Sequence, residues 1–187
     1  MALLSRVVNL CNALGRLSNN RFAACPRPQP IAMNNALLES IQKSDGRYLS
    51  DLELRPLAQF VASFDSRFRT YSRLKDEGEA LVLKALRQLM PTQHRQAIQE
   101  HGPKCQRDML YTVECIAKAI LLDDPSGFVE EYVVWMQNIT RALHKEDSAI
   151  AAYRSLQTEI AAALPEASAQ LVNGYLDQLI KAMTEGM

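Results

Sequence analysis

Lys104-Cys105-Gln106-Arg107-Asp108 follows directly on Gly102-Pro103 and opens a long apolar-periodic segment. That periodicity predicts a helix over 104–122. On a helix, residues i and i+3 share a face, so Cys105 and Asp108 can act on one ligand. A cysteine near a helix N-terminus, beside Lys104 and Arg107, is expected to favour its thiolate. A nucleophilic sulfur, two cations and a carboxylate suit a covalently held ligand that carries both acid groups and N–H donors. The plain alternatives are a partly exposed structural thiol, and an Arg107–Asp108 pair reserved for salt bridges to a partner subunit.

Outward from this stretch the chain reads as helix after helix. Downstream, Asp123-Asp124-Pro125-Ser126-Gly127 stops the segment, and a helix over 126–144 follows. Two more, over about 147–163 and 166–183, meet at Leu164-Pro165. Upstream, 93–100 is a short segment, and Pro91 ends a run over 65–90. Ser50 and Glu53 give the Ser-x-x-Glu signature of a helix start for 50–64. A further helix over 33–43 precedes the turn Ser44-Asp45-Gly46-Arg47. No alternating strand pattern competes. The expectation is an all-α, globin-like arrangement of seven to eight helices. Cys115 and the Phe60, Phe64, Phe68, Tyr71 stripe read as core. Phe128, Tyr132 and Trp135 read as core or subunit interface.

Composition narrows the function. The 187 residues suffice for one domain with a real core. Net charge is +0, but residues 1–38 hold four arginines and no acid, so the remaining residues carry 17 basic and 21 acidic side chains, net −4. A mildly acidic body argues against nucleic acid as a partner, and no apolar run approaches membrane-spanning length. Cys11, Cys25, Cys105 and Cys115 form no CxxC pair and no zinc-spaced cluster, which suits a reducing compartment. Residues 1–32 stand apart as a basic N-terminal extension: an apolar-periodic stretch to Leu17, then a Pro-rich linker around Cys25-Pro26-Arg27-Pro28. That extension reads as a transit peptide, a docking helix or a plain extension, ahead of a domain over 33–187. No phosphate loop, HExxH or nucleophile elbow points to an enzyme. His94 and His101 fall in the Pro/Gly-bounded region and His144 at a helix end, so none offers itself as a proximal haem ligand.

The Lys-Cys-x-Arg-Asp run, with the aromatic-bearing helix after it, resembles the bilin attachment site of the phycocyanin and allophycocyanin family of phycobiliproteins. Asp124-Pro125-Ser126 followed by Glu130-Glu131-Tyr132-Val133 resembles that family's break between two long helices. Ser44-Asp45-Gly46-Arg47-Tyr48-Leu49 resembles its early turn, and Asn173-Gly174-Tyr175-Leu176-Asp177 the start of its last helix. The resemblance runs over about 34–184, in order and with few gaps.

It implies a phycobilisome light-harvesting subunit, not an enzyme, with a linear tetrapyrrole bilin, phycocyanobilin-like, held by a thioether at Cys105. Asp108 would accept hydrogen bonds from the pyrrole nitrogens. Lys104 and Arg107 would pair with propionates, and Tyr111 and Tyr132 would line the pocket. The implied partners are other phycobiliprotein subunits, in hetero- or homo-oligomers, together with linker proteins. The implied place is the cytoplasmic or stromal face of the thylakoid, with plastid import if 1–32 is a transit peptide. Thr112 and Glu114 depart from the family pattern, and 1–32 has no family equivalent. These departures keep open a non-pigmented relative acting as adaptor, linker or regulatory subunit of the antenna.

Overall fold

Apolar side chains three and four apart recur along the chain, and each such series becomes the buried stripe of a helix. The computed structural model describes residues 35–44 and 46–185, which form six uninterrupted helical stretches and no strand. They are α1 (Asn35–Lys43), α2 (Asp51–Gln88), α3 (Arg95–Leu122), α4, α5 (Glu146–Ala163) and α6 (Glu166–Thr184). Helix α4 runs over 125–143 as an α-turn (Pro125–Gly127), a π-helical stretch (Phe128–Val133) and an α-helix (Val134–Leu143). The extension 1–32, with Cys11 and Cys25, and the turn residue Asp45 lie outside the described residues.

The count is lower than seven to eight because two expected boundaries are absent. The runs 50–64 and 65–90 are one helix, α2, with Pro56 inside its second turn. The segments 93–100 and 104–122 are likewise one helix, α3, which passes through Pro103. A proline clashes with the Cβ of the residue before it in helical geometry. Here that residue is Gly102, which has no Cβ. The last helix begins at Glu166, so Asn173-Gly174-Tyr175 lies two turns inside it and not at its start.

Helix α2 is the spine. Its stripe Leu74, Leu81, Val82, Ala85 and Leu86 is buried against α3 and α5. Gly78 lets α2 and α3 approach closely, since a Cβ there would stand 3.1 Å from Val113 Cγ1. Val113, Ile116 and Ile120 from α3, Leu156 and Ile160 from α5, and Val172, Leu176, Leu179 and Met183 from α6 complete one core. Each such side chain contributes roughly 1.5–3 kcal/mol on burial.

Polar ties fix the crossings. Arg67 is 5% exposed and carries its guanidinium to the C-terminal end of α3. It donates to the carbonyls of Leu121 and Ile120 and, at 2.7 Å, to that of Phe60. The guanidinium lies 4.2 Å from the Phe60 ring centroid. A cation is favoured where unpaired carbonyls end a helix. Ser155 Oγ donates to Ala85 O at 2.8 Å, and Gln137 Nε2 to Ala182 O at 2.6 Å.

The aromatic stripe on α2 divides: Tyr71 packs against the core and Phe60 is partly buried, but the middle of the stripe is not core. Phe64 and Phe68 are 41% and 49% exposed, stacked on each other with ring centroids 6.0 Å apart. The physical reason is length: α2 is 38 residues long, and its first half runs beyond the helices that bury its second half. Among the described residues no helix is long and apolar enough to cross a membrane.

Candidate functional site

Because α3 continues back through Pro103 to Arg95, one face of it carries His94, Ala97, Ile98, His101, Lys104, Cys105 and Asp108 in unbroken three–four spacing. These residues form one wall of a cleft of about 310 Å³. Met136, Ile139, Thr140 and Leu143 of α4 form the opposite side. Lys145 of the α4–α5 turn and Ser148, Ala149, Ala152 and Tyr153 of α5 close it. The volume is at the lower end of small-molecule sites, about 300–1,000 Å³, and the lining is mainly apolar with a few polar groups.

Lys145 reaches the cleft through a sharp reversal. His144 takes the left-handed conformation, φ 52°. The Lys145 N–H donates to Thr140 O at 3.0 Å and the His144 N–H to Arg141 O at 3.1 Å, the two bonds of a Schellman motif. The Lys145 carbonyl then accepts from Ala149 N–H, starting α5. Helix α3 ends in the same way. Asp123 is left-handed, φ 55°, and the Asp124 N–H donates to Ala119 O at 3.0 Å. The Asp124 carboxylate accepts from Gly127 N–H at 2.9 Å, so close that a Cβ on Gly127 would collide with it. This is the Asp-Pro-Ser break, which turns α4 back along α3.

Cys105 is half-buried on the cleft wall. It stands three turns inside α3, not at a helix N-terminus, so the helix end gives it no help. Burial pushes its thiol above the ordinary cysteine range, Asp108 adds to the rise, and Lys145 across the cleft counters it. The expected thiolate is therefore not favoured. The cation that faces the sulfur comes from the α4–α5 turn, whereas Arg107 and Lys104 bear on Asp108. Burial raises the Asp108 carboxyl, and those two cations oppose the rise. Among the described residues no donor hydrogen-bonds the Asp108 carboxylate.

Below the cleft lies a polar node. Thr112 is fully buried, and its hydroxyl donates to Asp108 O at 3.0 Å. Its oxygen lies 2.6 Å from Tyr132 Oη and 2.8 Å from Tyr153 Oη. One hydroxyl has one hydrogen and two lone pairs. With the hydrogen given to Asp108 O, both phenols donate to Thr112, and its capacity is filled. Burial drives both phenols up, Tyr153 to about 12.

The six site residues expected from sequence divide. Lys104, Cys105 and Asp108 line the cleft. Arg107 is exposed beside it, with Nε donating to Pro103 O at 3.3 Å. Tyr111 and Tyr132 are not in the lining. Tyr111 is half-exposed and meets the edge of Tyr132 with ring centroids 5.8 Å apart, and Tyr132 is buried at the node. The tyrosine that does line the cleft is Tyr153. Cys115 is half-buried and packs against the core. Glu114, the other departure from the family pattern, stands 3.8 Å from Lys75 on α2.

His94, His101, Lys145 and Tyr153 carry no site role in the sequence reading. The histidines were readable: 94, 97, 98, 101, 105 and 108 follow helical spacing once Pro103 is allowed inside a helix. Lys145 and Tyr153 carried no such signal, since only the packing of α4 and α5 on α3 brings them over.

The residues present suit a linear tetrapyrrole. A thiol stands on the wall of an apolar cleft, and one turn on is a carboxylate with no donor among the described residues, an acceptor suited to N–H groups. Cations stand at the rim. Among curated proteins none matches the chain at a significant level. The phycobilisome protein family matches residues 39–183, a span that holds the cleft, the node and every tie of the core. With that span matched and the helices in place, the chain belongs to the phycobilisome protein family, whose members are light-harvesting proteins and not enzymes.

Proposed function

We propose that the chain is a bilin-carrying antenna subunit that passes excitation to neighbouring pigments, with 33–187 as its pigment domain and 1–32 as an added segment. The observation that carries this reading is the pairing, one turn apart on the wall of an apolar cleft, of Cys105 with an Asp108 carboxylate that accepts no hydrogen bond among the described residues. When bound, the pigment supplies the conjugated system that absorbs visible light. Cys105 Sγ holds it through a thioether. The Asp108 carboxylate accepts from pyrrole N–H groups, a charge-assisted bond. Lys104 at the rim, with Arg107 beside it, meets the propionates. Apolar contact with Met136, Ile139 and Leu143 restrains twisting and excludes water.

Family membership makes other antenna subunits the partners. Leu57, Val61, Phe64 and Phe68, exposed along one face of α2, support an extensive protein contact there. The same face supports the second reading, a non-pigmented adaptor of the antenna. The thylakoid surface, at its cytoplasmic or stromal side, is the setting that either role requires.

Zinc-enhanced fluorescence of the denatured protein from its native host decides between them, because a covalent bilin survives denaturation. The expected result is a fluorescent chain whose Cys105 peptide gains the mass of a bilin. A colourless protein with Cys105 fully alkylatable would sink the pigment reading and leave the adaptor.

A further inference from the structure

We propose that His101 and Lys145 activate Cys105 so that the chain attaches its own tetrapyrrole, His101 taking the thiol proton and Lys145 holding the sulfur anion. This inference rests on the pigment reading above and concerns how the bond is made. The three groups line the same cleft. His101 precedes Cys105 by one turn on the same face of α3, a spacing that puts Cβ atoms about 5–6 Å apart and ring nitrogen within reach of sulfur. Glu100 Oε2 is 3.9 Å from His101 Nε2, too far for a hydrogen bond, so the imidazole can turn toward the cleft. Lys145 lines the same cleft from the α4–α5 turn, where the Schellman reversal at His144 fixes its backbone, and its charge counters the rise of the Cys105 thiol.

The need for such help follows from the site. Half-burial and Asp108 both oppose ionisation of Cys105, and only the thiolate is a good nucleophile. The titratable groups that share the cleft with this sulfur are few. Helix α3 supplies His101, Lys104 and Asp108, the α4–α5 turn Lys145, and α5 Tyr153, whose phenol stays neutral. Helix α4 adds none to the lining. His94, eleven residues before Cys105, is about 16 Å away along the helix axis and too distant to serve as the base.

The step balances as an addition. One S–C bond forms between Cys105 Sγ and the exocyclic alkene carbon on ring A of the pigment. The thiol proton goes to His101, and the imidazolium returns a proton to the adjacent carbon. The alkene becomes a single bond, and nothing is oxidised or reduced. The histidine is regenerated, but the product stays on the chain, so this is a single self-modification and not turnover.

The test uses the full chain purified from a host that makes no bilin. Alkylation of Cys105 by iodoacetamide is followed against pH by peptide mass spectrometry, and covalent uptake of free phycocyanobilin by absorbance on a denaturing gel. In Lys145→Gln the pH midpoint of alkylation should rise by about half a unit, and Lys145→Arg should restore it. In His101→Gln pigment uptake at pH 7 should fall about tenfold or more. His94→Gln should leave the alkylation midpoint unchanged. All three side chains lie at the surface or rim, and circular dichroism checks that each variant is folded. If the wild-type chain takes up pigment and His101→Gln and Lys145→Gln do so equally fast, the activation is wrong while the pigment reading stands. If the wild-type chain takes up none unaided, self-attachment is overturned, whatever the native-host protein carries.

Discussion

Replacing Thr112 by valine keeps the shape of the side chain and removes its hydroxyl. In the wild type that oxygen receives two buried phenols, at 2.6 and 2.8 Å, and gives its hydrogen to Asp108 O. Thr112 is wholly buried, and Tyr132 and Tyr153 are 6% and 3% exposed, so water cannot replace the lost acceptor. A buried donor left unsatisfied costs about 1–3 kcal/mol. Two such donors, with some relaxation, put Thr112→Val at about 2–4 kcal/mol. Tyr132→Phe and Tyr153→Phe each remove donor and bond together and should cost only about 1 kcal/mol. Combining all three removes every unpaired group. The triple variant should therefore be more stable than Thr112→Val alone, a coupling that additive contacts cannot produce. Urea unfolding at pH 7, followed by helical circular dichroism with a shared slope, measures each value. If Thr112→Val costs less than about 0.5 kcal/mol, or the triple loses the sum of the three singles, the saturated node does not exist as described.

Other expectations follow from the same contacts. Asp108 has a raised carboxyl in the fold, so the ionised form is disfavoured there relative to the unfolded chain. The fold then loses stability as pH rises from the ordinary aspartate value through the raised one. Without pigment, Asp108→Asn should add a few tenths of a kcal/mol at pH 7, after solvent screening, and nothing below about pH 3.5, as thermal melts across pH would show. His144→Gly relieves a left-handed residue in an exposed turn and should stabilise by up to about 1 kcal/mol in urea, with a cost or no change counting against the strain. Arg67→Met leaves the Leu121 carbonyl at the end of α3 without its donor, while Phe60 O keeps Ser63 Oγ, and should cost about 2 kcal/mol by the same measurement, whereas a loss under about 0.5 would show that the tie is dispensable.

Much of the architecture was legible in residue spacing. The helices expected over 126–144, 147–163 and 166–183 lie within a residue of α4, α5 and α6. The break at Asp124-Pro125-Ser126 was equally plain, since aspartate caps and proline begins a helix. Two boundaries misled. Pro103 signals a stop in any local reading, and only the long packing of α3 against α2, with Gly102 removing the steric conflict, carries the helix through it. That one difference moved Cys105 from a helix end to a helix middle, and burial beside Asp108 then reversed the expectation for its thiol.

Residue spacing alone was enough for an all-helical chain and for the pairing of Cys105 with Asp108 on one face, because both follow from the 3.6-residue repeat and from residue type. It could not say which cation serves which group. Lys104 and Arg107 are the neighbours of Cys105 along the chain, yet they bear on Asp108. The cation facing the sulfur is Lys145, forty residues away, delivered by a left-handed turn. Nor could spacing show that Phe64 and Phe68 stay exposed, or that Tyr153 and not Tyr111 meets the cleft. Electrostatic coupling and burial depend on distance in space, and only the packing of α4 and α5 against α3 sets those distances.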